Sequence, residues 1–203
     1  MNNYEYLISS LPDLTRDWKG SDGNQADSLT EWLRDGCGRR DRELIDFLLK
    51  GFDDSQLNAD FYNEAESGKN SFLKEYFRFD LNVRNAKVKY LNRALGRPAG
   101  TDIFLEREDD GFDLQKVNSV LESGDILSRE RGLDGLMWDK IDELTTYHYF
   151  DIETILGFIA RLHIVDRWLK LDAESGRRMF EKLVESVRGS YTGIREAADN
   201  AVR

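Results

Sequence analysis

Site chemistry needs a nucleophile, a base or a metal ligand, and of these the chain is short of imidazoles and thiols. His148 and His163 are the only histidines and Cys37 the only cysteine among 203 residues. Structural zinc is held by clustered Cys and His, so it is effectively excluded on supply alone. We assign no catalytic residue, no metal ligand and no cofactor. The acidic run Glu106-Arg107-Glu108-Asp109-Asp110-Gly111 has a passing likeness to a calcium loop. It fails because position one is Glu and position twelve, where a bidentate Glu belongs, is Val117. It reads as a solvated acidic turn. Gly36-Cys37-Gly38 begins like a phosphate loop, but Asp41 stands where the third glycine belongs and no Gly-Lys-Ser follows anywhere. Arg39, Arg40 and Arg42 there are offset by Asp35, Asp41 and Glu43.

Of these groups, His163 lies on the helix that the chain is organised around, Asp151–Leu171. Ile152, Ile155, Leu156, Ile159, Leu162, Val165 and Leu169 recur at steps of three and four and form one apolar stripe. Glu153, Thr154, Gly157 and Arg161 fall opposite, and Glu153 and Arg161 are expected to be exposed. Ile164 and Trp168 then make the far end apolar on two sides, so Ile159 and Trp168 are expected to be buried. His163 borders the stripe as a hydrogen-bonded core histidine, and Asp166 and Arg167 are placed to pair with a neighbouring helix. Asp151 is the expected cap, with Phe150 stapled onto Ile155.

The remaining pattern is helical too. Helices are expected from Ser28 to the Gly36-Cys37-Gly38 break, over Asp41–Lys50, around Leu57–Glu64 and over Asn70–Leu95. Others follow at Asp113–Glu122, Leu133–Tyr147 and Asp172–Val187. Phe72, Tyr76, Phe77, Leu81, Val88, Leu91 and Leu95 supply the apolar side of the Asn70–Leu95 helix. The segment Tyr4–Pro12 alternates weakly and reads as a short extended piece. The fold class is therefore mainly α, a bundle of long and short helices with that extended start. It is one domain over 1–203, with 1–99 and 112–203 as candidate sub-units. The connection Gly100–Gly111 is the basis of the division, and a Phe-Asp echo runs along the chain: Phe79-Asp80-Leu81, Phe112-Asp113-Leu114 and Phe150-Asp151-Ile152. The echo reads either as a recurring helix-start device or as duplication of a helical unit.

Composition narrows the function classes. Lys and Arg number 29 against 39 Asp and Glu, a net charge of −10. Such a chain is repelled by nucleic-acid phosphates and by anionic lipid, so neither is an expected partner, whereas basic protein surfaces stay open. A lone cysteine fits a reducing compartment, and Met1–Leu14 has neither the basic start nor the apolar middle of a signal peptide. The expected location is cytoplasmic, with no direct membrane insertion and no small-molecule substrate.

Two stretches carry a resemblance. Phe77–Arg93 resembles a segment of the C subunit of V-type and archaeal-type ATPases (the d subunit in eukaryotes), in which an Asp, an Asn, a Lys and then an Arg lie along a helix. Here these are Asp80, Asn85, Lys87 and Arg93. Tyr4–Pro12 together with Leu162–Asp172, including Asp166, Arg167 and Trp168, is similar to a smaller bacterial family encoded beside V-type ATP synthase genes. The C subunit is an all-helical socket of three similar units, longer than this chain. The resemblance implies a non-catalytic component that couples the central stalk to the membrane rotor ring. It would be peripheral to the inner membrane through protein contacts, within a complex for ion or proton transport. An assembly factor or regulatory binding protein of the same complex is the alternative, and a carboxylate-based enzyme with a deep polar pocket the third. Asn85 is expected to bridge to backbone carbonyls or amides of a neighbouring turn.

Overall fold

The helix with the strongest apolar stripe is also the one most enclosed. In a computed structural model that describes residues 4–16, 26–107 and 111–170, it spans Ile152–Lys170 and is α8 of eight α-helices. Asp151 caps it, its Oδ1 accepting from the amide of Thr154 at 3.3 Å. Before it come α1 (Glu5–Ser9), α2 (Ala26–Gly36), α3 (Arg39–Lys50), α4 (Ala59–Ser67), α5 (Ser71–Ala94), α6 (Leu114–Leu121) and α7 (Ile126–Thr145). No strand occurs among the described residues. The bundle is mainly α, as the sequence pattern requires. The expected helix over Asp172–Val187 lies outside the described residues.

Capping explains most of the boundaries. Asn58, Asn70, Asp113 and Asp125 each accept a hydrogen bond from an amide in the first turn of α4, α5, α6 and α7, which satisfies one of the four free N–H groups there. The cap at Asp125 starts α7 well before Leu133, where apolar spacing alone placed it. The extended reading of Tyr4–Pro12 is overturned, since Glu5–Ser9 is a helical turn and a half. Its anchor is tertiary: the amide of Tyr4 donates to the carbonyl of Phe150 at 2.7 Å, and the Tyr4 hydroxyl donates to Asp41. Alternation over so few residues does not outweigh such contacts.

Packing puts α7 between α5 and α8, while α5 also meets α4 and α6, and α8 meets α2 and α3 on its other side. The two candidate sub-units therefore share one core, with α8 of the second resting on helices of the first. This arrangement also corrects the exposed face assigned to α8. Glu153 and Arg161 are largely covered, with side chains 14% and 22% accessible. A Cβ on Gly157 would come within 2.5 Å of the Thr145 methyl, so α7 lies close against the supposedly polar side. Ile159 and Trp168 are buried as expected. Phe150 stays exposed, and its part in the fold is the carbonyl that holds Tyr4.

Between α3, α4 and α5 the core is aromatic. Phe47 stacks on Phe61 at 4.9 Å, and Phe61 meets Phe77 edge-on at 4.8 Å. Gly51 ends α3 at this cluster, and a Cβ there would lie 2.2 Å from the Phe77 ring. Its role is close approach as well as helix termination. Along α5, burial of apolar side chains runs from Phe72 to Ala86; Leu91 and Leu95 beyond it are exposed rather than core.

Candidate functional site

Polar side chains of α5 are placed by helix spacing and find their partners across the bundle. Asp80 accepts from the Tyr62 hydroxyl at 2.6 Å and from Arg84 Nε at 2.8 Å. Arg84, one turn on, also reaches Asp54 at 3.1 Å. Burial works against the Arg84 charge, yet Asp80 holds its pKa above the ordinary value. Burial, reinforced by Asp80, raises the Tyr62 phenol. Asp80 is thus an interior residue of α5, so the echo at Phe79-Asp80 is no helix start. Asp113 and Asp151 do cap helices, which favours the capping-device reading for those two copies.

Asn85 donates from Nδ2 to the carbonyl of Leu105 at 2.9 Å. This is the backbone bridge expected of it, made to the connection after α5. Lys87 pairs with Glu130 of α7 at 2.5 Å, and Arg93 is exposed in the last turn. Asp80, Asn85 and Lys87 consequently tie α5 to α4, to the 103–107 connection and to α7, while Arg93 stands apart. Buried Asn92 escaped the sequence reading, although it donates to the carbonyls of Thr101 at 2.7 Å and Ala99 at 3.3 Å. Its place among exposed neighbours gave no periodic signal.

The second group gathers on α8. Arg167 donates to Asp134 of α7, and Trp168 Nε1 donates to the same carboxylate oxygen at 2.6 Å. Burial pushes the Asp134 carboxyl up, against the pull of Arg167 and Trp168. The interhelix pairing expected of Arg167 is present. Asp166 pairs instead within its own helix, with Lys170 at 2.6 Å, because i and i+4 lie on one face. His163 stacks on Phe52 at 4.0 Å; burial and then Arg167 lower its pKa to about 4. A cleft of about 270 Å³ lies between the Asp80–Arg84 and Asp134–Arg167 pairs, with Tyr76 and His163 on its walls. Each arginine there already faces a carboxylate, so the groups are matched internally and frame a charge-balanced scaffold.

A triad on the start of α8 has no counterpart among the sequence expectations. His148 Nδ1, an Asp151 oxygen and a Glu153 oxygen lie within 4.8 Å of one another. A count of histidines and cysteines passes over it, because two of its three groups are carboxylates. Its geometry is that of a capped helix start. His148 Nδ1 and Asp151 Oδ2 are 2.6 Å apart, hydrogen-bond distance, whereas two ligands about 2.1 Å from one metal sit roughly 3 Å apart or more. The N-terminus of α8 also favours anions over cations.

Exposed apolar side chains include two groups near ends of the long helices, besides Trp32 on α2, Phe104 in the connection after α5 and Leu114 at the start of α6. Tyr6, Tyr147, Tyr149 and Phe150 lie where α7 meets α8, with Tyr147 87% accessible. Leu91, Leu95, Ile126 and Leu127 lie at the other end, with Ile126 76% accessible. The Lys87–Glu130 pair joins α5 and α7 one turn before Leu91 and one turn after Ile126 in their respective helices. No helix among the described residues is long and apolar enough to cross a membrane.

A protein-family model described as "Protein of unknown function (DUF2764)" matches residues 52–190. That span takes in α4 to α8 and both polar groups. No curated protein and no solved structure matches the chain.

Proposed function

The chain belongs to the DUF2764 family, and from that premise we propose that it is a non-catalytic component of a bacterial V-type ATP synthase, similar in role to the C subunit, coupling the central stalk to the membrane rotor ring. The observation that carries this reading is the pair of exposed apolar ends on one helical body. Residues Ile126 and Tyr147 bracket α7, whose 20 residues span about 30 Å at 1.5 Å per residue. A coupling component needs two contact surfaces held at a fixed distance by stiff packing. Exposed Tyr and Phe at one end and Leu and Ile at the other are residue types that protein contacts bury.

The Asp80–Asn85–Lys87 segment supports the same reading as a scaffold. Its side chains brace four parts of the fold, which keeps the ends in register. With a charge of −10, attachment to an anionic bilayer is unfavourable, so membrane association runs through partner proteins.

The test is recovery from the native host. A tagged chain, extracted gently at low ionic strength, should bring down the rotor and stalk proteins of the ATP synthase in constant proportion. Raising salt from 0.1 to 1 M shortens the Debye length from about 10 to about 3 Å and should loosen contacts made by charged rims. An intact complex lacking this chain at low salt would defeat the proposal. Presence only in incomplete complexes would assign it instead to assembly.

A further inference from the structure

A second recess lies away from the apolar ends. A groove of about 640 Å³ opens between α3, the α4–α5 junction and the start of α8, with Leu44, Phe47, Leu73 and Ile152 as its apolar floor. Its rim is predominantly acidic. Asp41, Glu43, Glu64 and Glu153 line it against two cations, Arg40 and Lys69. Asp41 is engaged by the Tyr4 hydroxyl. Glu43 and Glu64 are held only at 3.5 Å by Arg39 and Lys50, on well-exposed side chains, and such pairs exchange readily with other cations.

Glu153 differs from the others. Its side chain is largely buried, and Asn70 Nδ2 fixes Oε1 from 3.1 Å. Oε2 is buried and has no hydrogen-bond donor, with His148 Nδ1 no nearer than 3.9 Å. A carboxylate oxygen left in that condition is costly. The first turn of α8 offsets part of the cost, but supplies no donor to Oε2. An oriented, unsatisfied carboxylate beside an apolar floor is complementary to a cationic side chain flanked by apolar ones.

We infer that this groove is the docking site for a basic amphipathic segment of a partner protein, its apolar side chains on Leu44, Phe47, Leu73 and Ile152 and a Lys or Arg paired with the Glu153 carboxylate where that residue lines the groove. Glu43 and Glu64 receive further cations at the rim. The inference rests on the reading of the chain as a component held by protein contacts, and adds the surface and the chemistry of one contact.

The probe is a synthetic helical peptide of Leu and Lys in amphipathic repeat, titrated into the full chain. Wild type should bind it, with amide shift changes concentrated at Leu44, Phe47, Leu73 and Ile152. Glu153→Gln, which keeps the Asn70 contact, should weaken binding about ten- to a hundredfold, as expected for loss of a charge-assisted hydrogen bond. Glu31→Gln removes the same charge from an exposed site on α2 and should leave affinity within about twofold. Equal losses in the two variants, or shifts spread over the whole acidic surface, would mean attraction by net charge alone and would overturn the inference. So would self-association of the chain abolished by Glu153→Gln, which would give the groove to a second copy. Recovery from the host separates this inference from the functional proposal. ATP synthase proteins retained equally by wild type and Glu153→Gln would remove the groove and leave the coupling role. Peptide binding without those proteins would remove the role and leave the groove.

Discussion

Helix α8 and the second half of α5 share a similar sequence pattern and meet different fates. Both carry apolar residues at helical spacing. Along α8 almost every position from Ile155 to Asp166 is buried, including Gly157 and Ala160, because α7 covers one side and α2 and α3 the other. On α5 burial of the stripe ends at Ala86, and Leu91 and Leu95 remain open. A stripe specifies a face that favours cover. Whether cover arrives depends on which elements the chain folds onto it.

The strongest way to break this contrast is to cut into the covered helix. Ile159→Ala should lower unfolding free energy by about 2–5 kcal/mol, since Ile159 is buried in the core. A change under about 0.5 kcal/mol in urea melts would show that α8 is not enclosed. The same enclosure predicts a pH dependence. His163 titrates near 4 in the fold against 6.5 unfolded, so the unfolded chain binds the extra proton first. Its stabilising contribution is whole above about pH 6.5 and declines as pH falls to about 4, by up to roughly 3 kcal/mol for a shift of this size. Asp134, raised by burial, works in the opposite sense over the lower part of that window. His163→Phe should therefore flatten the curve between pH 6.5 and 4 relative to wild type, measured by thermal or urea melts.

Effects on the open half of α5 should be smaller and local. Asn92→Ala should cost about 1–3 kcal/mol by leaving the carbonyls of Ala99 and Thr101 without their side-chain donor, with faster amide exchange confined to 97–103. Leu95→Ser should change stability by no more than about 0.5 kcal/mol, because Leu95 is 63% accessible. A larger loss would mean that this end is covered in the folded chain.

Much of the fold was legible. The α5 boundaries, the helix starts at Asp113 and Asp151, and the burial of Ile159 and Trp168 follow from side chains acting within a turn or along one stripe. Of the candidate site residues, Asn85 and Arg167 found the kind of partner their chemistry asked for. Asp166 did not, since Lys170 on its own helix was nearer than any group across the interface. Asp134, Asn92 and the groove around Glu153 carried no pattern, because their partners lie 34, 9 and 83 residues away in sequence.

The sequence by itself determined that this chain is helical, acidic and poor in histidine and cysteine, since propensity, capping and charge act locally or sum over the chain. Tertiary structure alone decided that Tyr4–Pro12 joins the helical body, that Glu153 and Arg161 are covered, and that Leu91 and Leu95 are not. Those outcomes depend on which surfaces meet: the same side chain is solvated or desolvated according to a neighbour that its own segment does not encode.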